Sequence, residues 1–366
     1  MILMGAGASV AQARHHRLNG KGGSVGPPLD RSFFQRALDE EGHDRELTGN
    51  IHRLREAVQL TTKYADPFES PSPSMEQFFA DVYYEVASLR AESDFRVYVE
   101  LLRLYVNLIA STTNPMMLLP AGPVDSLLDA EYRAAQGKIA IITFNHDLVI
   151  ENALCRLLEP KGSWGGFQAL YGDIPLREVT HSMGHRFPTP SHDNKNIGVP
   201  LLRLHGSLNW VFDVTGDQPQ LHEVFPKKLT RLLLLPDRVV GELGLLYVYK
   251  REQDVGRERD LWPFVVPPIY EKASLVGKEI IRSLWNRARG VLEGADKLVT
   301  FGYSFTEGDH AAIQLLRSGL GRQPLLKSLV CINTDAHVLA RICEKIGSES
   351  VEFHTDVGAY TARTRW

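Results

Sequence analysis

The sequence predicts an α/β fold, with a parallel sheet, helices on both faces of the sheet, and a helical insertion. In the last quarter of the chain, short apolar runs alternate with helical stretches of about ten residues, which is typical of βαβ units. A second observation is the stretch Ile139–Asp147, IAIITFNHD, which begins apolar and ends polar. Such a run is how a buried parallel strand presents side chains at the ligand-binding edge of an open sheet.

The composition is that of an ordinary globular protein. The 366 residues are 43% hydrophobic and carry a formal net charge of −3, which predicts a large core and no general attraction to nucleic acid or anionic membranes. No apolar run approaches the roughly 20 residues that span a bilayer, and the start MILMGAGASV lacks the pattern of a signal peptide. We therefore expect a cytoplasmic protein with no direct nucleic-acid partner and no membrane partner.

Metal-binding side chains are sparse in the sequence. Cys155, Cys331 and Cys343 are isolated from one another, and three cysteines cannot form a four-cysteine zinc module. His181 and His185 are four positions apart, but neither an acidic third ligand nor a helical pattern accompanies them. We predict no metal site.

The N-terminal stretch joins a short apolar run to the small-residue run GAGAS at Gly5–Ser9. Small residues let backbone amides approach a pyrophosphate closely, and a following helix N-terminus would add a favourable dipole. A plain structural turn explains the same pattern, so this motif alone does not decide between the two. The segment Gly20–Asp30 is rich in Gly and Pro and is predicted to be a loop over the ligand-binding edge.

The stretch from Arg31 to about Gly137 is predicted to be a helical insertion. Its apolar and aromatic residues recur at helical spacing, and we expect them to pack in a core rather than to bind a cofactor. Ser74 and Gln77 are predicted to cap the first helix, which carries Phe78, Phe79, Val82 and Val86 on one face. A second helix is predicted at Phe95–Ile109, and a third at Val124–Gln136, which ends at a left-handed Gly137.

Two predicted elements follow the stretch Ile139–Asp147. A helix is predicted at Leu148–Leu158, with Asp147 as its N-cap. Farther along, Pro200–Trp210 (PLLRLHGSLNW) is predicted to be a short strand followed by a turn that carries His205. This second strand therefore ends in polar residues in the same way as the first.

The rest of the chain is predicted to be a mixed insertion and then the clearest α/β pattern. Residues 212–292 form the insertion, with strand candidates at Arg231–Leu235 and Leu245–Lys250 and a helix at Val276–Leu292 that returns to the sheet. After it, strands and helices alternate in the order Lys297–Tyr303, Asp309–Leu320, Ser328–Asn333, Ala336–Ile346 and Val351–His354.

Glycines, amides, hydroxyls and one histidine collect at five predicted strand ends. Ligands of open α/β sheets lie outside the carboxyl ends of the strands, so these five turns are expected to line one crevice, whose natural occupant is a dinucleotide. The turns are Gly5–Ser9, Asn145–Asp147, His205–Ser207, Gly302–Ser304 and Asn333.

The motifs at these strand ends resemble those of sirtuin-like domains, specifically the zinc-free branch found in bacterial NAD-consuming and anti-phage defence proteins. Each motif is short, but their order and spacing together are fairly specific, and they cover both ends of the chain. The matching motifs are GAGAS at Gly5–Ser9, TFNHD at Thr143–Asp147 where the family has Thr-x-Asn-x-Asp, LHGS at Leu204–Ser207, FGYSF at Phe301–Phe305, and CIN at Cys331–Asn333.

The resemblance implies a single sirtuin-like catalytic domain over residues 1–366. Insertions would occupy residues 31–137 and 212–292. The Rossmann-like core would comprise residues 1–30, 138–158, 200–211 and 293–366.

The resemblance also implies which residues bind NAD as the substrate. The segment GPPLDRSFF at Gly26–Phe34 takes the place of the family's Gly-x-Pro-x-Phe-Arg and matches it loosely, which makes Asp30 a further binding candidate. Gly5, Ala6, Gly7 and Ser9 would hold the pyrophosphate and the neighbouring ribose, Gly302 and Ser304 would support the phosphates, and Asn333 would contact the adenosine side.

Three residues are implied to be catalytic. Asn145 would face the nicotinamide ribose and orient its hydroxyls or the attacking water, with Asp147 beside it. His205 would be the general base, a task that suits imidazole because it exchanges protons near neutral pH. The implied reaction is cleavage of the nicotinamide glycosidic bond, in which charge develops on the ribose. Without the zinc module of the deacylases, water is the expected acceptor, and the products are ADP-ribose and nicotinamide.

Structural interpretations stand beside each of these roles. Asn145 and Asp147 are also suited to cap the helix that follows, and His205 to satisfy its hydrogen bonds within a tight turn. The sequence indicates no role for His146. The alternative function is a non-catalytic NAD or ADP-ribose sensor or assembly scaffold, and a weaker one is protein deacylation or ADP-ribosyl transfer. By analogy with the family, we expect an NAD glycohydrolase that serves as a defence effector, forms a homo-oligomer, and pairs with a HerA-type hexameric ATPase.

Overall fold

The computed structural model describes residues 1–16, 28–69, 71–89, 92–113, 115–116, 119–172, 174, 176–178, 199–213, 232–234, 247–249, 259–266, 279–306, 309–320, 328–346 and 351–363. The predicted loop at Gly20–Asp30 lies outside these residues except for positions 28–30. The histidines at 181 and 185 and much of the second insertion also lie outside them.

The centre of the fold is a six-stranded parallel sheet. Along the described part of the chain, the strands are β1 (Ile2–Met4), β2 (Ile141–Thr143), β3 (Leu176–Glu178), β4 (Leu201–Arg203), β5 (Gly206–Asp213), β6 (Leu232–Leu234), β7 (Tyr247–Tyr249), β8 (Arg259–Val265), β9 (Lys297–Phe301), β10 (Ser328–Ile332) and β11 (Glu352–His354). The parallel sheet has the order β11-β10-β9-β1-β2-β4, and helices flank it. The predicted α/β fold is therefore confirmed.

The register of this sheet brings the ends of its strands level. Asn145 and His205 lie two positions beyond the last residues of neighbouring strands, β2 and β4, so the register delivers both to one part of the edge. The last residues of the six strands form one row across the sheet: Arg203, Thr143, Met4, Phe301, Ile332 and His354.

The helices pack in groups around the sheet. In the described residues they are α1 (Ala6–His15), α2 (Phe33–Glu40), α3 (Arg45–Thr61), α4 (Met75–Leu89), α5 (Glu92–Thr113), α6 (Pro123–Ala134), α7 (Val149–Leu158), α8 (Gly166–Tyr171), α9 (Glu279–Glu293), α10 (His310–Leu320), α11 (His337–Ile346) and α12 (Val357–Arg363). One group is α1, α6, α7 and α12, and another is α9, α10 and α11. Among these helices, none has the length and apolar character needed to cross a membrane.

The helical insertion forms as its sequence pattern predicts. The N–H of Gln77 donates to Ser74 Oγ at 3.1 Å, which caps the start of α4. Gly137 adopts φ +82°, and its N–H donates to the Tyr132 carbonyl at 2.7 Å, so the predicted left-handed end of α6 is confirmed.

Aromatic side chains form the core of this insertion. Phe34 meets Phe78 edge-to-face at 5.5 Å, and Phe79 meets Tyr105 at 5.6 Å. All four rings are buried, so the predicted core packing is confirmed. The packing ends at Tyr105, whose ring lies 5.6 Å from that of His146 at the sheet edge. The helical insertion thus reaches the candidate site.

A second sheet begins directly after the turn at the end of β4. Its described strands have the order β3-β6-β5-β8-β7. The prediction of a turn through Trp210 is wrong, because Gly206–Asp213 is a strand that pairs with β8. The sequence alternates Ser207 and Asn209 with Leu208 and Trp210, and Ser207 Oγ donates to Asn209 Oδ1 at 2.7 Å. Gly206, Ser207 and Asn209 are residue types that favour turns, and they masked the period of two that Leu208 and Trp210 carry.

Candidate functional site

Hydrogen bonds join the turns at the ends of the parallel strands into one edge. Asn145 Nδ2 donates to the Gly5 carbonyl at 3.0 Å, which ties β2 to β1. The N–H of Gly7 donates to the Gly302 carbonyl at 2.9 Å, and Asn333 Nδ2 donates to the Tyr303 carbonyl at 3.2 Å. These bonds link the predicted strand ends after β1, β2, β9 and β10 in a chain along one edge of the sheet.

Glycines let the turn after β1 and the turn after β9 touch. A Cβ atom on Gly5 or Gly7 would lie 2.7 or 2.8 Å from the Gly302 carbonyl oxygen. Gly302 itself has φ +62°, and a Cβ there would lie 2.2 Å from the Ala8 nitrogen. Backbone contact between the turns therefore explains these three glycines, whether or not a phosphate binds above them.

Ser9, Asn145 and Asp147 form one buried hydrogen-bonded cluster. Ser9 Oγ donates to Asp147 Oδ2 at 2.8 Å and accepts from Asn145 Nδ2 at 3.3 Å. Asp147 Oδ1 also accepts the Val149 N–H at 3.1 Å, at the start of α7. The contacts of Asp147 therefore stabilise the turn, but the N-cap of α7 is Leu148, so the predicted N-cap lies one residue too early.

The side-chain amide of Asn145 is held in one orientation. Because the Gly5 carbonyl can only accept, the atom that faces it must be the amide nitrogen. Among the described residues, the hydrogen bonds of this side-chain amide all run through Nδ2. Oδ1 is thereby left to accept a hydrogen bond from a ligand.

A buried ion pair supports the backbone beneath Asn145. Arg203 binds both carboxylate oxygens of Glu151, and both side chains are fully buried. The same guanidinium donates to the carbonyl of Asn145 at 2.6 Å and to that of Asp147. Tyr171 Oη donates to Glu151 Oε1 at 2.7 Å, which completes the buried network.

Burial and charge shift the ionisation of this network. Burial lowers the pKa of Arg203, but Glu151 and Tyr171 outweigh it, so the pKa is raised overall and the guanidinium stays charged. Burial raises the pKa of the Asp147 carboxyl, and Arg203 and Ser9 offset part of that rise. The carboxylate of Asp147 is thus costly to ionise, as a buried acid is.

His205 is held from its backbone and packed among aromatic rings. Its carbonyl accepts the Val266 N–H at 2.7 Å, and Gly206 follows with φ +82°, beneath the Phe264 carbonyl. The imidazole lies 4.9 Å from the ring of Phe144 and 6.4 Å from that of Trp285, measured between centroids. This packing limits the positions that the imidazole can take.

His146, for which the sequence indicated no role, bridges two parts of the fold. Its Nε2 lies 2.9 Å from the His205 carbonyl oxygen, and its Nδ1 lies 2.8 Å from Tyr105 Oη. The centroid of its ring lies 6.2 Å from that of His205. The ring of Phe144, the residue before Asn145, also contacts His205. His205 therefore packs against both residues that flank Asn145.

The remaining predicted binding residues lie apart from the cluster of Asn145 and His205. Asp30 Oδ1 accepts the Glu76 N–H at 2.8 Å, so this carboxylate helps to start α4. Asn333 Oδ1 accepts the Asp335 N–H at 3.0 Å within its own turn. Ala6, the first residue of α1, and Ser304, after β9, are both exposed at the edge.

Several residues of this site escaped the sequence predictions. Arg203 and Glu151 interrupt apolar stretches of a strand and a helix, and two opposite charges in buried elements are a signal that could have found them. Phe144 and Trp285 carry no such signal, because aromatic residues at strand and helix positions usually indicate core packing.

Metal chemistry and thiol chemistry find no support in the described residues. Across the ranges given above, the structure contains no group of three or more His, Cys, Asp or Glu side chains placed to hold a metal ion. Burial raises the pKa of the Cys155 thiol to about 12 and also raises that of Cys331. Neither thiol is therefore an activated nucleophile.

Comparisons with known proteins give distant structural likenesses. No protein-family model matches the chain, and no curated protein matches it. A Sir2 homologue in complex with NAD is similar, with 14% identity, a TM-score of 0.44, and coverage of 100% of this chain and 86% of that chain. A structure concerned with the mechanism and regulation of Sir2 enzymes has 14% identity, a TM-score of 0.43, and coverage of 99% and 88%. A structure concerned with sirtuin substrate affinity has 14% identity, a TM-score of 0.42, and coverage of 100% and 91%. Likenesses this distant transfer no activity, which has to be inferred from the strand ends of this chain.

Proposed function

We propose that this protein is an NAD⁺ glycohydrolase that cleaves NAD⁺ to ADP-ribose and nicotinamide. The observation that carries the proposal is the pairing at the ends of β2 and β4. The Asn145 side-chain amide is anchored through Nδ2, which leaves Oδ1 as an acceptor for a ligand. The His205 imidazole packs against Phe144 and His146, the residues on either side of Asn145. An oriented acceptor beside a general base suits activation of water or of a ribose hydroxyl.

The strand order supports a dinucleotide as the ligand. Counted along the chain, the six parallel strands have the order 3-2-1-4-5-6, which is that of dinucleotide-binding Rossmann folds. In this order the crevice lies between the first and fourth strands, β1 and β9. Ala6 begins α1 at this point, so the positive end of the helix dipole and its first N–H groups would face the pyrophosphate.

The chain's own residues divide the proposed chemistry among them. Asn145 Oδ1 would accept a hydrogen bond from the nicotinamide ribose or from the attacking water, and His205 would take up the proton that the water loses. As nicotinamide leaves, positive charge develops on the ribose, and a preorganised amide dipole stabilises it. The carboxylate of Asp147 is engaged by Ser9 and Val149, so we assign it to positioning Asn145 rather than to contact with the substrate.

Nicotinamide release from NAD⁺ tests this function. Purified protein should release nicotinamide, and Asn145→Ala and His205→Ala should each lower the rate by about 10²-fold or more. His52→Ala is the matched control, because this histidine is 68% exposed on α3. Full activity in both site variants, or no NAD consumption by the protein and by any reconstituted complex, would contradict the proposal.

One observation favours a second candidate, a sensor that binds NAD or ADP-ribose without breaking a bond. Asn145 and His205 are each only 7% exposed, and the imidazole is enclosed by Phe144 and Trp285. Side chains buried to this degree suit a protein that holds its ligand without turning it over. The two functions differ in whether bound NAD is recovered intact after long incubation, which chromatography of the denatured complex measures.

The biological setting stays a prediction that rests on family analogy. An effector of anti-phage defence should deplete cellular NAD after infection, and the Asn145→Ala chain should not. A homo-oligomer and a complex with a HerA-type hexameric ATPase should each appear in mass measurements of the native protein, alone and co-expressed with such an ATPase. A monomer in both preparations would contradict the predicted assembly.

A further inference from the structure

We propose that His146 is a positioning residue, which holds the backbone of His205 in place and ties it to Tyr105 on helix α5. The inference rests on the proposed function, because positioning matters for a reaction in which His205 takes part. It starts from a buried imidazole between two site residues, for which the proposed chemistry has no use.

The partners of His146 determine which ring nitrogen carries the proton. A backbone carbonyl only accepts, so Nε2 must donate its hydrogen to the His205 carbonyl across 2.9 Å. In the neutral ring Nδ1 is then an acceptor, and the Tyr105 hydroxyl donates to it across 2.8 Å. The His205 carbonyl therefore selects the form of His146, and Tyr105 supports that form by donating to Nδ1.

Through this contact, hydrogen bonds run in both directions between the turns after β2 and β4. Arg203, two residues before His205, donates to the carbonyls of Asn145 and Asp147. In the opposite direction, His146 donates to the carbonyl of His205. Each turn thus holds the backbone of the other, and the relative placement of Asn145 and His205 depends on both sets of contacts.

The contact also fixes a peptide that has little freedom to move. The His205 carbonyl accepts a second hydrogen bond from the Val266 N–H at 2.7 Å, and Gly206 beyond it has φ +82°. Two donors from different elements define the orientation of this carbonyl, and hence the direction in which the imidazole leaves the backbone. Without His146, this carbonyl would lose one of the two donors that the described residues provide.

Tyr105 extends this support into the helical insertion. Its ring packs against Phe33 and Phe79 in the aromatic core, so the hydroxyl is delivered from a rigid helix. Burial, and after it the charge of Asp147, raises the pKa of Tyr105, which keeps its hydroxyl protonated at neutral pH. The insertion therefore contributes to the geometry of the site without contacting NAD.

Two amide substitutions separate the two hydrogen bonds. The amide of His146→Gln extends as far as Nε2 and can still donate to the His205 carbonyl. That of His146→Asn reaches only as far as Nδ1, so it can accept from Tyr105 but cannot reach His205. We expect His146→Asn to lower kcat by about 10²-fold with KM for NAD within about 3-fold, because a misplacement of about 1 Å has that effect on rate. His146→Gln should stay within about 5-fold of the wild-type kcat.

Tyr105→Phe removes a single hydroxyl and keeps the aromatic packing. It should lower kcat by about 10-fold, because His146 then loses one of the two hydrogen bonds that hold its ring. Combined with His146→Asn, it should add no further loss, since the two act through one contact. Losses that multiply, a change confined to KM, or equal losses in the Gln and Asn variants would overturn the proposal.

A spectroscopic measurement on the full chain without NAD keeps this test separate from the proposed function. With ¹⁵N-labelled histidine, the His146 resonance, assigned by its loss in His146→Gln, should show a protonated Nε2 and an unprotonated Nδ1. An Nδ1-protonated ring in the wild-type protein would overturn the proposed positioning role of His146, even if NAD is cleaved. Absence of NAD cleavage with the expected spectrum would refute the proposed function alone.

Discussion

Replacement of Arg203 by methionine is expected to destabilise the fold strongly. Arg203 and Glu151 are both fully buried, and their contact is bidentate. Arg203→Met leaves the carboxylate of Glu151 in the core with the Tyr171 hydroxyl as its remaining described partner. Removing one partner of a buried pair costs about 3–5 kcal/mol, and the carbonyls of Asn145 and Asp147 also lose a donor each. We therefore expect a loss of about 5 kcal/mol or more in the free energy of unfolding.

The double variant Arg203→Met with Glu151→Leu separates the two costs. It removes the buried charge, and apolar replacements for a buried pair are often neutral in stability. The carbonyls of Asn145 and Asp147 still lack their donor, so we expect the double variant to lie about 2 kcal/mol below the wild-type protein and clearly above Arg203→Met. Because these carbonyls belong to the Asn145 turn, NAD cleavage should stay low in both variants.

Urea unfolding followed by circular dichroism measures these differences. Arg96→Met is the matched control, because the Arg96–Glu56 pair is 48% and 62% exposed and should contribute less than about 1 kcal/mol. A wild-type-like midpoint for Arg203→Met would refute the reasoning. So would a double variant that is no more stable than the single one, because the buried carboxylate would then not be the source of the loss.

Two further predictions concern Asp147 and Gly302. Burial raises the pKa of Asp147 above its ordinary value of 3.8, so its contribution to stability is fully present below that pH and is lost as the pH rises through the folded-state pKa. The stability of Asp147→Asn relative to the wild-type protein should therefore increase as the pH rises above about 4, and a constant difference in urea titrations would contradict this. Gly302→Ala should cost about 2 kcal/mol or more, because φ is +62° and the new Cβ would lie 2.2 Å from the Ala8 nitrogen. The control Gly290→Ala, in α9 with nothing within 4 Å of its Cβ, should instead add about 0.5–1 kcal/mol, and equal effects of the two in thermal unfolding would refute the packing account.

Local sequence patterns were enough to predict the core elements and the sheet edge. The apolar run before Asn145 becomes β2, and the alternating pattern from Lys297 onward becomes β9, β10 and β11 with their helices. These elements are predictable because burial of a strand or helix face imposes a period that neighbouring residues record. The strand β5 was mistaken for a turn because Gly206, Ser207 and Asn209 near its start are residue types that favour turns.

The contacts that arrange the site could not be read from such patterns. His146 acquires its partners from Tyr105 and His205, which are 41 and 59 positions away in sequence. Gly302 indicated a phosphate turn, whereas in the structure a Cβ at this position would collide with the backbone of Gly7 and Ala8. Long-range pairing of this kind depends on the packing of whole elements, which a local period does not specify.

Product analysis of NAD⁺ incubated with the purified chain tests the central claim most directly. We predict nicotinamide and ADP-ribose in equal amounts, with loss of both products in Asn145→Ala and His205→Ala and retention in His52→Ala. Intact NAD⁺ recovered from the protein, alone and in a reconstituted complex, would contradict the claim, and so would cleavage that persists in both site variants.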